Sequence, residues 1–155
     1  MRSRMKKTGL FLVFTFVLSM FAVFNISADF NSSLDTILSE KNLTYGSASY
    51  VLLSGAGEID ENASFAEAAR VMSEKASVTG ISWDEEISLG MYSHLVMQTY
   101  GISGGIFYRI FPGPRYALRE LRFRRMIQGR SYTGMSLSGE RALRILNRVL
   151  EKGEE

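Results

Sequence analysis

Leu43-Thr44-Tyr45-Gly46-Ser47-Ala48-Ser49-Tyr50-Val51-Leu52-Leu53 lies without a gap over Ile87-Ser88-Leu89-Gly90-Met91-Tyr92-Ser93-His94-Leu95-Val96-Met97, and Gly57 then falls on Gly101. A third stretch opens in the same way at Leu137-Ser138 and continues through Ala142, Ile145, Leu146, Val149 and Leu150. Self-similarity at long, regular spacing marks a chain built from copies of one supersecondary unit. Thr44, Ser88 and Ser138 have the hydroxyl that an N-cap needs to accept from a free backbone N–H. Tyr92, Leu95, Val96 and Thr99 then recur at helical spacing, as do Ala142, Ile145, Leu146 and Val149. Each copy therefore ends in a helix.

The segments before these helices match as well. Ala68-Ala69-Arg70 lies over Ala117-Leu118-Arg119, Met72 over Leu121, and Gly80-Ile81-Ser82-Trp83 over Gly129-Arg130-Ser131-Tyr132. Ser64 with Glu67 forms a capping box opening a helix through about Ala76. Pro114 opens its counterpart at the position where a missing N–H costs nothing. The first copy has only a short leading helix, near Leu34 to Lys41. No segment alternates with period two. The expected fold is all-α, with three helix-loop-helix repeats, about residues 34–57, 64–101 and 114–150, packed into one domain spanning 29–155. Between Arg115 and Ile127, Ala117, Leu118 and Leu121 fall on one helix face and Tyr116, Phe123 and Ile127 on another. Two apolar faces imply a central helix with all of these apolar side chains except Tyr116 buried.

Outward from the repeats, the N-terminus has a different character. Arg2, Arg4, Lys6 and Lys7 precede an apolar run of 16 residues, Gly9 to Phe24, and Asn25-Ile26-Ser27-Ala28 follows. A basic start, an apolar run too short for comfortable spanning and a small residue for cleavage describe a secretory signal peptide over residues 1–28. The expected location is outside the cytoplasm, in the periplasm or cell envelope.

The absence of cysteine excludes disulfides, zinc-thiolate sites and thiol catalysis, and the single histidine, His94, argues against histidine-rich metal sites. No metal or cofactor site is expected. Asp60-Glu61-Asn62 with Ser64 begins like a calcium loop, but Phe65 replaces the turn glycine and Val71 the twelfth-position Glu. Charge is segregated. Asp29 to Glu86 holds 11 acids and 3 bases, whereas Arg109 to Arg148 holds 10 arginines and only Glu120 and Glu140. Such a positive half suits an anionic partner, and nucleic acid is not expected for an exported chain.

An Ala-x-x-x-Leu helix (Ala117, Leu121), an Ile-x-Gly turn (Ile127-Gln128-Gly129), an aromatic in the loop (Tyr132) and Leu137-Ser138 opening a second helix resemble the S-layer homology repeat. The resemblance covers about Leu34 to Leu150. It implies a three-lobed domain that attaches to the envelope by binding an acidic, often pyruvylated, wall polysaccharide. That family opens its second helix with Thr-Arg-Ala-Glu. The stretches here, Thr44-Tyr45-Gly46-Ser47, Ser88-Leu89-Gly90-Met91 and Ser138-Gly139-Glu140-Arg141, lack the Arg at that position.

Two Gly-x-Ser-aromatic loops provide the best chemical candidates. Ser82, Trp83, Arg130, Ser131 and Tyr132 supply the stacking faces and rim donors that carbohydrate sites use. Arg115, Arg119 and Arg122 add a guanidinium stripe able to hold carboxylates or phosphates in planar, bidentate contacts. The blander reading pairs that stripe with the acidic half of the chain, or lays it over apolar neighbours, and turns the loop aromatics into covers for the helix ends. The apolar insert 102–113 either folds back on the core or presents Phe107 and Phe111 to a partner. The expectation is a non-enzymatic envelope protein that binds an anionic wall polysaccharide or an envelope protein. The alternative is a structural adaptor that joins a complex through the insert and the Arg-rich face. Membrane contact is expected only through an uncleaved signal or through Phe107 and Phe111. A hydrolase using Glu85 or Glu140 would require a deep pocket with paired carboxylates.

Overall fold

The computed structural model describes residues 31–153, and the proposed signal peptide lies outside them. The described residues are all-α, without a named strand. Helix α1 covers residues 31–39, followed by α2 (Tyr45–Gly55), α3 (Phe65–Ala76), α4 (Leu89–Thr99), α5 (Ile106–Ile110), α6 (Pro114–Phe123) and α7 (Gly139–Gly153). None of these helices is long and apolar enough to cross a membrane.

Local sequence explains the helix starts. Thr44 and Ser88 adopt nearly the same extended backbone, φ −84° and ψ 161° against φ −83° and ψ 161°. Their side chains accept from the Ser47 and Met91 N–H groups, and Ser138 accepts from Arg141. Ser64 caps α3 through the Glu67 N–H, and Pro114 is the first residue of α6. Gly80 and Gly129, aligned in the sequence, both turn left-handed, at φ 79° and 76°.

The second and third segments of the chain supply what the first helix turns lack. A helix leaves its first N–H groups without intrahelical partners. In α2, Tyr45 N–H donates to the Glu85 carbonyl (2.8 Å) and Gly46 N–H to the Trp83 carbonyl (2.7 Å). In α4, Leu89 N–H donates to Met135 (2.7 Å) and Gly90 N–H to Thr133 (3.0 Å). In α7, Gly139 N–H donates to the Glu40 carbonyl at the end of α1 (3.0 Å). Each of these helix starts is thus docked on a different stretch of chain, and the three junctions form a cycle. Leu43, where the cycle meets, donates to the Leu137 carbonyl and accepts from Ile87 N–H. Leu43, Ile87 and Leu137 are all buried.

The core follows from this arrangement. Helix α2 packs on α3, α4 and α7, and α4 packs also on α3 and α6. From Tyr45 to Leu53 every residue of α2 is buried, and α4 is nearly as enclosed. The buried hydroxyls are satisfied locally: Ser49 donates to the Tyr45 carbonyl and Ser93 to Leu89, each at 2.7 Å. The Tyr92 hydroxyl reaches the Ala142 carbonyl of α7 at 2.9 Å.

The central-helix expectation for Arg115 to Ile127 is corrected. Helix α6 ends at Phe123, and its buried residues are Ala117, Leu118 and Leu121. Phe123 lies about 200° from Leu121 around the helix and is 83% exposed. Ile127 is buried, but from beyond the helix. A left-handed residue, Arg125 (φ 59°), reverses the chain so that Met126 and Ile127 N–H both donate to the Leu121 carbonyl. The central helices are α2 and α4, and α6 lies outside them with one face inward.

Candidate functional site

Helix α6 presents Arg115, Arg119 and Arg122 at i, i+4 and i+7, so the three share its outer flank. The loop 129–136 runs beside them because its Thr133 and Met135 carbonyls cap α4. Gly90 makes that approach close. A Cβ there would sit 2.8 Å from the Thr133 oxygen and 3.2 Å from its Cα. Between helix and loop is an open groove of about 500 Å³ lined by Phe107, Arg115, Tyr116, Leu118, Arg119, Arg122, Ser131, Tyr132 and Thr133.

Five of the eight residues singled out in the sequence meet in this groove: Arg115, Arg119, Arg122, Ser131 and Tyr132. Ser82, Trp83 and Arg130 are not in its lining. Ser82 donates its hydroxyl to Asp84, and the Trp83 carbonyl faces the start of α2 while its side chain is about half exposed. Arg130 is exposed, and its carbonyl accepts from the Arg141 guanidinium at 2.8 Å. Thr133, Tyr116, Leu118 and Phe107 complete the groove. The first three carry no sequence signal as site residues, and Phe107 carries one only as part of the insert.

The expected pairing of the arginine stripe with the acidic half does not occur among the described residues. The ion pairs there are Arg70–Glu74, Lys75–Glu58, Arg124–Glu120 and Arg144–Glu140, and none joins the two halves. Arg115 and Arg122 are exposed and engage none of these carboxylates. Arg119 lies over the Phe107 ring, 5.8 Å from its centroid, an attraction between cation and π face. The Phe107 ring in turn stacks on Tyr116, with centroids 6.1 Å apart and planes 10° from parallel.

Hydrogen bonds pin the insert that carries Phe107. Gly105 N–H donates to Glu120 Oε2 at 3.1 Å, and Arg124 Nε to Glu120 Oε1 at 2.9 Å. Partial burial would raise the Glu120 pKa, but the Gly105 N–H and Arg124 prevail and hold the carboxyl below its ordinary value of 4.5. The buried Tyr108 hydroxyl accepts from Gln98 at 2.9 Å and meets His94 Nδ1 at 3.2 Å. The hydroxyl and His94 Nδ1 share one hydrogen bond, whose donor is set by the His94 tautomer. Burial depresses the His94 pKa.

The carboxylates raised as catalytic candidates are engaged locally. Glu140 pairs with Arg144 on the exposed face of α7. Glu85 accepts weakly from the Ser82 N–H (3.4 Å), and the carboxylate next to it in sequence, Glu86, accepts from Asn42 at 3.1 Å rather than pairing with it. Among the described residues no cluster of acids or histidine has the grouping of a metal site. The chain matches no protein-family model, no curated protein and no solved structure.

Proposed function

We propose that this chain is an exported, non-enzymatic protein of the cell envelope, built from three helix-loop-helix units, that holds an anionic wall polysaccharide in the groove between α6 and the loop 131–133. The observation that carries the reading is the meeting, in one open groove, of two hydroxyls, the Tyr132 face and three guanidinium groups that form no ion pair among the described residues. Guanidinium groups bind carboxylate or phosphate in planar contacts, and an aromatic face accepts the C–H side of a sugar ring. An open groove suits a polymer, which must enter sideways rather than end-on. The three-unit reading is supported by the matched caps Thr44 and Ser88, the left-handed Gly80 and Gly129, and the cyclic docking of α2, α4 and α7.

Cosedimentation with purified, carboxylate- or phosphate-bearing wall polysaccharide tests the proposal. Arg122→Ala is expected to weaken binding about tenfold, the scale of one charge-assisted contact, and Tyr132→Ala about two- to tenfold, the scale of one aromatic contact. The Arg122 loss shrinks as salt rises from about 0.1 M to 1 M, because screening shortens from about 10 Å to about 3 Å. Arg130→Ala, outside the groove, leaves binding unchanged. Binding indifferent to Arg122, Tyr132 and salt refutes the groove.

A further inference from the structure

Helix α5 exposes what a folded chain normally covers. Ile106, Phe107, Ile110 and Phe111 are between 57 and 68% exposed, and Phe123 at the end of α6 is 83% exposed. At about 100° per residue Ile106, Phe107 and Ile110 occupy an arc of about 100°, with Tyr108 on the inner side, and Phe111 follows directly after the helix. Phe107 and Phe123 line a shared cleft with Tyr108, Tyr116 and Arg119, so α5 and Phe123 form one surface. That surface is held in place rather than loosely attached. Glu120 fixes its start, Tyr108 ties it to α4, and Tyr116 stacks on Phe107.

Its surroundings are positive. Arg109 is on α5, and Arg115, Arg119 and Arg122 border it. From Gly101 to Gly139 the only acid is Glu120, already held by Arg124 and the Gly105 N–H. Apolar side chains that stand clear of the surface, ringed by cations, fit a fluid anionic interface better than a fixed protein groove. A protein partner must supply a matched cavity for each side chain, whereas lipid conforms to them. The dimensions agree as well. Half the diameter of a helix is about 5–6 Å, the depth at which interfacial helices sit among headgroups and upper acyl chains.

We propose that the outer face of α5, with Phe123, docks on the surface of an anionic phospholipid bilayer, its apolar side chains entering the interface and Arg109, Arg115, Arg119 and Arg122 meeting lipid phosphates. This goes beyond polymer binding: Ile106, Ile110, Phe111 and Phe123 do not line the polymer groove, whereas Arg115, Arg119 and Arg122 do, so polymer and bilayer compete for those three arginines.

The chain contains no cysteine, so one introduced cysteine takes a fluorophore uniquely. In the full chain, Phe111→Cys carries an environment-sensitive label, and Ala66→Cys on the exposed part of α3 carries the same label as a control. Vesicles of phosphatidylglycerol and phosphatidylcholine, with a quencher on the upper acyl chain, are compared with pure phosphatidylcholine. The label at 111 is expected to be quenched in anionic vesicles, with apparent affinity at least about fivefold weaker on the neutral ones, the share of a single arginine near an anionic surface. The label at 66 stays in water. Adding Ile110→Ser and Phe123→Ser, both at exposed positions, lowers the apparent affinity by about tenfold or more. A label at 111 that remains in water on vesicle-bound chain overturns the proposal. So does shielding before any vesicle is added, which assigns the face to residues 1–30 or a second copy. Shielding that appears only with added envelope proteins assigns it to a protein partner and also overturns the proposal. Equal affinity for both vesicle types overturns the role given to the arginines.

Discussion

Gly90→Ala separates the tertiary account from simple helix propensity, because the two predict opposite signs. By propensity alone, Ala in place of Gly stabilises a helix by about 0.5–1 kcal/mol. Gly90, however, lies where the Thr133 segment rests on α4. An added Cβ would approach Thr133 Cγ2 to within 2.4 Å and its carbonyl oxygen to 2.8 Å. The threonine methyl can rotate away, but the carbonyl is backbone and must move. That movement stretches the 3.0 Å bond from Gly90 N–H to Thr133, in a region where both residues are at least half buried. Overpacking costs about 1–3 kcal/mol and a weakened hydrogen bond about 0.5–1.5 kcal/mol. Less the propensity gain, the net loss is about 0.5–4 kcal/mol. For a domain of this size that lowers the melting temperature by several degrees, on the order of 2–16 °C. Thermal unfolding followed by circular dichroism reads the change. Gly134→Ala, with open space around its would-be Cβ, is the control in the same loop and shifts the melt by less than about 2 °C. A Gly90→Ala protein as stable as wild type, or more so, refutes the docking of this loop on α4.

Two further predictions concern α6 and the single histidine. Leu121→Ala, at a fully buried position, is expected to cost about 2–5 kcal/mol, whereas Phe123→Ala two residues on costs less than about 0.5 kcal/mol because that ring is exposed; denaturant titration checks both. The His94 pKa lies below its ordinary 6.5, so as pH falls below about 6.5 the unfolded chain takes up a proton that the folded chain refuses. Stability is therefore full above pH 6.5 and declines toward the depressed pKa, a slope that urea midpoints between pH 7 and 5 should show and His94→Gln should flatten.

Much of the helical frame was legible because its signals are local. Thr44, Ser88 and Ser64 cap helices as their side-chain chemistry requires, and the stripes of α4 and α7 are buried where helical spacing puts them. The end of α6 was not legible. Tyr116, Phe123 and Ile127 satisfy helical periodicity, but the reversal at Arg125 depends on a left-handed non-glycine residue, which composition does not announce. The enclosure of α4 was only partly visible. Ser93 and His94 are polar residues whose burial no local pattern marks, yet one returns its hydroxyl to the Leu89 carbonyl and the other meets Tyr108 from the insert.

The difference between the two Gly-x-Ser-aromatic loops shows how one motif can be supported in different ways. Both loops offer a carbonyl to the first turn of a helix, Trp83 to Gly46 and Thr133 to Gly90, and in both the docked helix residue is a glycine. A Cβ at Gly46 would also stand within 2.9 Å of the Trp83 oxygen. Those aligned glycines are the sequence trace of the docking, since glycine in a first helical turn costs stability unless a close approach requires it. The helix beside each loop decides the chemistry. In the register that sets Ala68 over Ala117, Arg115, Arg119 and Arg122 correspond to Ala66, Arg70 and Ser73. Arg70 is paired with Glu74 at 2.8 Å, and the Ser73 hydroxyl is committed to Ala69 and Tyr45. At these three positions of α3 the one cation is already paired, whereas at those of α6 three cations line one groove with Tyr132. Loop sequence alone ranks the two sites equally; the flank of the preceding helix distinguishes them, and it favours the groove at Tyr132.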